Sequence, residues 1–228
     1  MTPRLASTLA LLSCALTGTV NAQTASRYPV RPSGLPEAEE VALAQSAAPA
    51  EVSSRADVYV LRGTEFVNVR NGTNGCACMV ARDLHEGSLY PICFDQEAAR
   101  SLMVREMKEV SLRAQGKSEA EVDREVKSMV ESGALPRPSH TALAYMMSPR
   151  QVLFSSAEAD GVRVGAWHPH IMMSGMQFAP GQLGFEPGSR YRYIQHSSGD
   201  DAGSLHEFVV LLPVWSDGTP GPRPASEN

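Results

Sequence analysis

Basic residues are in deficit: Lys+Arg number 20 against 25 Asp+Glu, a net charge of −5 over 228 residues. That balance leaves no basic footprint for nucleic acid. Cysteines number only 4 and aromatic residues only 6% of the chain. No apolar run is long enough to span a bilayer once the N-terminus is explained. Gly 18 and Pro 16 imply many turns but fall short of a low-complexity chain. The 43% hydrophobic content at this length suffices for one domain with a sizeable core.

Catalytic signatures are equally sparse. There is no Gly-x-Ser-x-Gly elbow, no His-Glu-x-x-His helix, no phosphate-cradling loop and no Gly-x-Gly-x-x-Gly turn. His206-Glu207 stands without the second histidine that a zinc-protease helix needs. A triad assembled from distant positions would leave no such trace, so a hydrolase stays open as a third reading.

The N-terminus is informative. Met1–Arg4 is a short positive start, Leu5–Val20 is uncharged and rich in Leu and Ala, and Val20-Asn21-Ala22 offers small residues. This is the grammar of a secretory signal peptide cleaved after Ala22. An alternative acylation at Cys14 fits less well, because Leu12 is poorly placed before the small residue. Export to the periplasm or the extracellular space is expected, with no transmembrane segment after cleavage. Loss of residues 1–22 removes one Arg and no acid, so the remaining chain is one unit more negative.

Export leaves Cys76, Cys78 and Cys93 in an oxidising compartment. On a strand, Cys76 and Cys78 would have Cα atoms about 6.5–7 Å apart, which disfavours a bond between them. Cys78–Cys93 is the favoured disulfide, closing a loop through the Arg82–Ser88 turn. A zinc site combining the three with His85 is a weaker alternative.

The expected organisation is a signal peptide (1–22), a flexible lead-in (23–36), one globular α+β domain (37–217) and a disordered tail (218–228). Pro36 before Glu37-Ala38-Glu39-Glu40 starts a helix that Pro49 stops. Short strands follow at 58–61, 66–69, 76–81 and 90–94. Asp95 caps a helix with Ala99, Leu102, Met103, Met107 and Val110 on one side, ending at Gly116. Ser118 and Glu121 form a capping box for a second helix that Gly133 ends. Strands are expected again at 142–147, 152–155, 162–167, 171–176, 190–195 and 208–214. Fold class is therefore α+β, a mainly antiparallel sheet with an inserted helical hairpin.

Chemistry concentrates in Trp167-His168-Pro169-His170-Ile171-Met172-Met173-Ser174-Gly175-Met176. If extended, it sets His168, His170, Met172, Ser174 and Met176 on one face. Imidazole with thioether suits cuprous ion, and Met146, Met147 or His140 are candidates to complete the shell. Against this, methionine fills cores and Pro169 interrupts a sheet ladder, which favours packing or an orienting hydrogen bond from His170. Cys76 as a nucleophile has no visible activating neighbour. Glu37, Glu39-Glu40 and Asp200-Asp201 read as solvated charges, and Asn71-Gly72-Thr73 matches a glycosylation sequon.

Several segments, in order, resemble a family of exported bacterial proteins of unassigned function. They are Glu40–Pro49, Arg70-Asn71-Gly72-Thr73-Asn74-Gly75 with Cys78, Pro91-Ile92-Cys93-Phe94, Ala144-Tyr145-Met146-Met147-Ser148, Trp167–Met172 and Trp215-Ser216-Asp217-Gly218. The resemblance implies no activity, cofactor or partner. It supports pairing of Cys78 with Cys93, ranks His170 above His168, and marks Cys76 as a departure where relatives carry a bulky apolar residue. The leading expectation is a non-enzymatic exported domain that binds a small molecule or an envelope component, with copper or zinc binding at His168, His170, Met172 and Met176 as the alternative. No catalytic residue and no cofactor is assigned.

Overall fold

β-Branched and aromatic residues along Asp57–Arg62 (β1) and Glu65–Arg70 (β2) build an antiparallel hairpin. Its two-residue turn places Arg62 opposite Glu65, and Gly63 takes φ 65° to close it. The computed structural model describes residues 35–83, 88–151, 153–154, 163–164, 168–175, 194–197 and 207–222. The expected signal segment and Met176 lie outside these residues.

Ala77–Asp83 (β3) pairs antiparallel with Ser88–Phe94 (β4), which continues to Ala142–Met146 (β5). Leu153–Phe154 (β6) and Arg163–Val164 (β7) form a separate two-stranded ribbon. His170–Ser174 (β8), Ile194–Ser197 (β9) and Glu207–Leu211 (β10) complete an eight-stranded sheet, in the order β2-β1-β3-β4-β5-β8-β10-β9. Every neighbouring pair is antiparallel except β1 and β3, which run parallel for only two residues on each strand. The fold is α+β with a mainly antiparallel sheet. Pro91, which has no N–H to give, sits in the stretch of β4 that β5 does not flank, because β5 meets only Cys93 and Phe94.

Helices cover both faces of the β1–β5 half. Glu37–Gln45 (α1) follows Pro36, and Pro49 starts a separate short helix, Ala50–Ser53 (α2). Leu43 and Ala44 of α1, with Ala47 and Ala48, pack on Val58, Cys78, Val80, Leu89 and Cys93. Residues of opposite parity, Ala77, Met79, Ala81, Ile92 and Phe94, face Gln96–Ala99 (α3) and Leu102–Ala114 (α4) through Ala98 and Met103. Asp95 caps α3 as expected, accepting from the Ala98 N–H at 2.8 Å. The single helix expected after it is broken: Ser101 leaves helical geometry at φ −128°, ψ −76°, its hydroxyl donating to the Glu97 carbonyl at 2.6 Å. Glu119–Glu131 (α5) buries Val122, Val126 and Val130 with Leu112 and Leu135, completing the inserted helical hairpin. Its first turn is closed by the Glu121 carboxylate, which accepts from the N–H and the hydroxyl of Ser118.

Residues 218–222, read above as the start of a free tail, instead close a turn. Trp215 N–H donates to Thr219 O and Gly221 N–H to Pro213 O, at 2.8 Å each. Trp215 is buried, and Ser216 joins the turn to the core by donating its N–H to Met147 O and its hydroxyl to Ser46 O. Burial of a large aromatic ring outweighed the loop-like composition around it. Among the described residues no helix is long and apolar enough to cross a membrane.

Candidate functional site

Antiparallel register sets Cys78 directly opposite Cys93, and the two are joined in a disulfide, both wholly buried. With these sulfurs bonded to each other, the three-cysteine zinc set is ruled out; His85 lies outside the described residues. Cys76 remains a free, half-buried thiol packed against the same cluster. Burial and the nearby Asp95 push its pKa up, with Arg55 acting in the opposite sense. It is the wrong environment for an activated nucleophile.

The His168–Met176 segment is only partly assembled. β8 begins at His170, after Pro169, so His168 is not part of the strand. His170 and Ser174 are buried, with Met172 between them on the same face. Pairing with β5 places Met146 directly opposite His170. Met146 and Met172 both pack against the cluster containing Met79, Phe94 and Met103. The His170 Nδ1–H donates to the His168 carbonyl at 2.7 Å, the orienting bond foreseen for this ring. Burial drives the His170 pKa down, only partly offset by that carbonyl.

A different polar cluster, of which the sequence marks only His140, lies at the start of β5. Glu97 of α3 is 2% exposed, yet its carboxylate organises four groups. One oxygen, Oε1, accepts from the Ser139 N–H and from its hydroxyl, the latter at 2.9 Å. Oε2 accepts from the Arg100 guanidinium and lies 3.3 Å from His140 Nε2. Burial raises the Glu97 pKa, but the Ser139 bonds and Arg100 outweigh it and bring it down to about 2. Arg100 and His140 themselves face outward, 56% and 66% exposed, with Arg100 Nη2 and His140 Nε2 3.4 Å apart. The His140 Nδ1–H donates to Thr141 O at 3.1 Å. Behind them Gly175 takes φ 85°, and a Cβ there would meet His140 O at 2.9 Å and Pro138 at 3.1 Å. Only glycine fits, so β8 holds the Pro138–His140 segment closely.

Two hydroxyls at this cluster are engaged away from the imidazole: Ser139 donates to the Glu97 carboxylate and Ser101 to the Glu97 carbonyl. The arrangement orients donors toward solvent; it does not couple a hydroxyl to a histidine base. The sequence marks His140 only as a completing metal ligand, with nothing to join it to Glu97. Glu97 and Ser139 are 42 positions apart, and nothing local announces their contact.

Glu40 corrects a further expectation. It was read as solvated, but it is 2% exposed and paired with Arg82, which is fully buried. Glu37 is indeed exposed, pairing with Arg62 at the surface.

No protein-family model matches the chain, and neither the curated proteins nor the solved structures contain a match.

Proposed function

We propose that this is an exported, non-enzymatic binding domain whose ligand contact is the Arg100–His140 surface built on Glu97. The observation that carries the reading is one buried carboxylate holding two exposed side chains beside each other. Surface arginines ordinarily sample many rotamers; fixing one against a buried anion reduces the entropy lost on binding. The close approach of Gly175 to His140 adds rigidity of the same kind. The signal-like N-terminus, the disulfide and the resemblance to exported bacterial proteins support the location. A panel of envelope-derived small molecules tests the reading by thermal shift. A ligand that stabilises the wild type and leaves Arg100→Gln unmoved is the expected result. Turnover of a substrate, abolished by His140→Ala, would contradict a non-enzymatic role.

A second reading keeps the soft-metal alternative with a revised ligand set. It is favoured by the register that puts Met146 opposite His170 and Met172 two residues along the same face. One imidazole and two thioethers form a set suited to cuprous ion. About one equivalent of copper retained through desalting, and lost in Met146→Leu, is the result this reading requires.

A further inference from the structure

Resting on the binding reading above, we infer that the ligand presents a carboxylate, seated on the outward edge of the Arg100 guanidinium beside His140. Arginine carries five N–H donors in a planar fork and no acceptor. One nitrogen, Nη2, is turned inward to Glu97 and His140, while over half of the side chain is solvent-accessible. The ligand atom it meets must therefore accept, and the fork matches the paired oxygens of a carboxylate.

Charge selects within the anions. Glu97 and Arg100 together are neutral. The single guanidinium edge presents one positive charge, which a monoanion matches and a dianion such as phosphate exceeds. The His140 ring, 66% exposed, offers an adjoining surface for whatever the carboxylate is attached to. A free small acid and the C-terminus of a peptide share this chemistry.

The test follows Arg100 Nε–H and His140 ring resonances of the purified protein by NMR. The probes are acetate, lactate, a dipeptide with a free or amidated C-terminus, inorganic phosphate and glucose. Saturable shifts with the carboxylates, weakened about tenfold or more in Arg100→Gln, are expected. Tighter binding of the free dipeptide than of acetate or lactate, lost on amidation, would assign the peptide source; equal binding by acetate or lactate would assign the small acid. Tighter binding of phosphate or glucose at these resonances would overturn the carboxylate class and leave the site standing. No perturbation by any probe, in wild type or in the His140→Gln control, would overturn the class and the site together.

Discussion

Glu40 of α1 and Arg82 of β3 meet where β1 and β3 part, with 2.5 Å between their charged atoms and side chains 3% and 0% exposed. The two strands share a parallel ladder only at Asp57–Ala77 and Val58–Cys78. Farther along, Leu61 donates its N–H to Glu40 Oε1 at 2.9 Å in place of a strand partner. Glu40 therefore closes the fork, neutralising a buried guanidinium and satisfying a backbone donor. Burial still pushes the Arg82 pKa down against the pull of Glu40, and among the described residues its Nε and Nη1 have no hydrogen-bond partner. Removing the acid alone strands the cation, so Glu40→Ala should cost about 3–5 kcal/mol in urea unfolding. The double variant Glu40→Leu/Arg82→Met should be closer to wild type than the single one. A loss below about 1 kcal/mol for Glu40→Ala would show that the pair does not clamp the fork.

The disulfide constrains a loop with a sequence separation of 15. Loop-closure entropy puts its contribution near 3 kcal/mol. Paired Cys78→Ser and Cys93→Ser substitution should lower the unfolding free energy by about that amount. Both half-cystines are fully buried, so mild reductant should open the bond only on the timescale of unfolding. Fast reduction of the folded protein would contradict the packing described.

Cys76 should alkylate slowly at neutral pH, since burial and Asp95 disfavour its thiolate. Asp95→Asn removes one of these two effects and should speed labelling by iodoacetamide. Rapid stoichiometric labelling of the wild type at neutral pH would contradict the thiol's assigned surroundings.

Glu97 gives a pH signature. Its pKa falls from about 4.5 to about 2, so the carboxylate contributes stability that is fully present above the unfolded value. That contribution is lost as pH drops from about 4.5 through about 2. Glu97→Gln should flatten the acid limb of the stability curve over this window while changing little of its slope near neutrality. An unchanged acid limb would mean that Ser139 and Arg100 do not hold the charge.

The order of strands and helices was legible because it rests on local pattern: the Ser118–Glu121 capping pair, the Asp95 cap and the period of Val122, Val126 and Val130 each declare themselves within a few residues. The cross-strand cysteines were legible as well: spacing set aside a Cys76–Cys78 bond, and the Arg82–Ser88 turn with the family resemblance favoured Cys78 as the partner of Cys93. Ser101 broke the expected long helix because a serine hydroxyl competes with the backbone for the Glu97 carbonyl. Glu40 gave no sign of burial, being one acid among several in a helix's first turn; its partner is 42 residues away on another element. The contacts of Glu97 with Ser139 and His140 were invisible for the same reason. Contacts made by folding, between residue types that are ordinary at the surface, leave no periodicity to read.

The most direct measurement is amide and side-chain shift mapping of the purified protein, titrated with a panel of small carboxylic acids and peptides. Perturbations centred on Arg100, Ser139 and His140 and lost in Arg100→Gln are predicted. Saturable perturbations elsewhere in the sheet, with this cluster unmoved, would contradict the account.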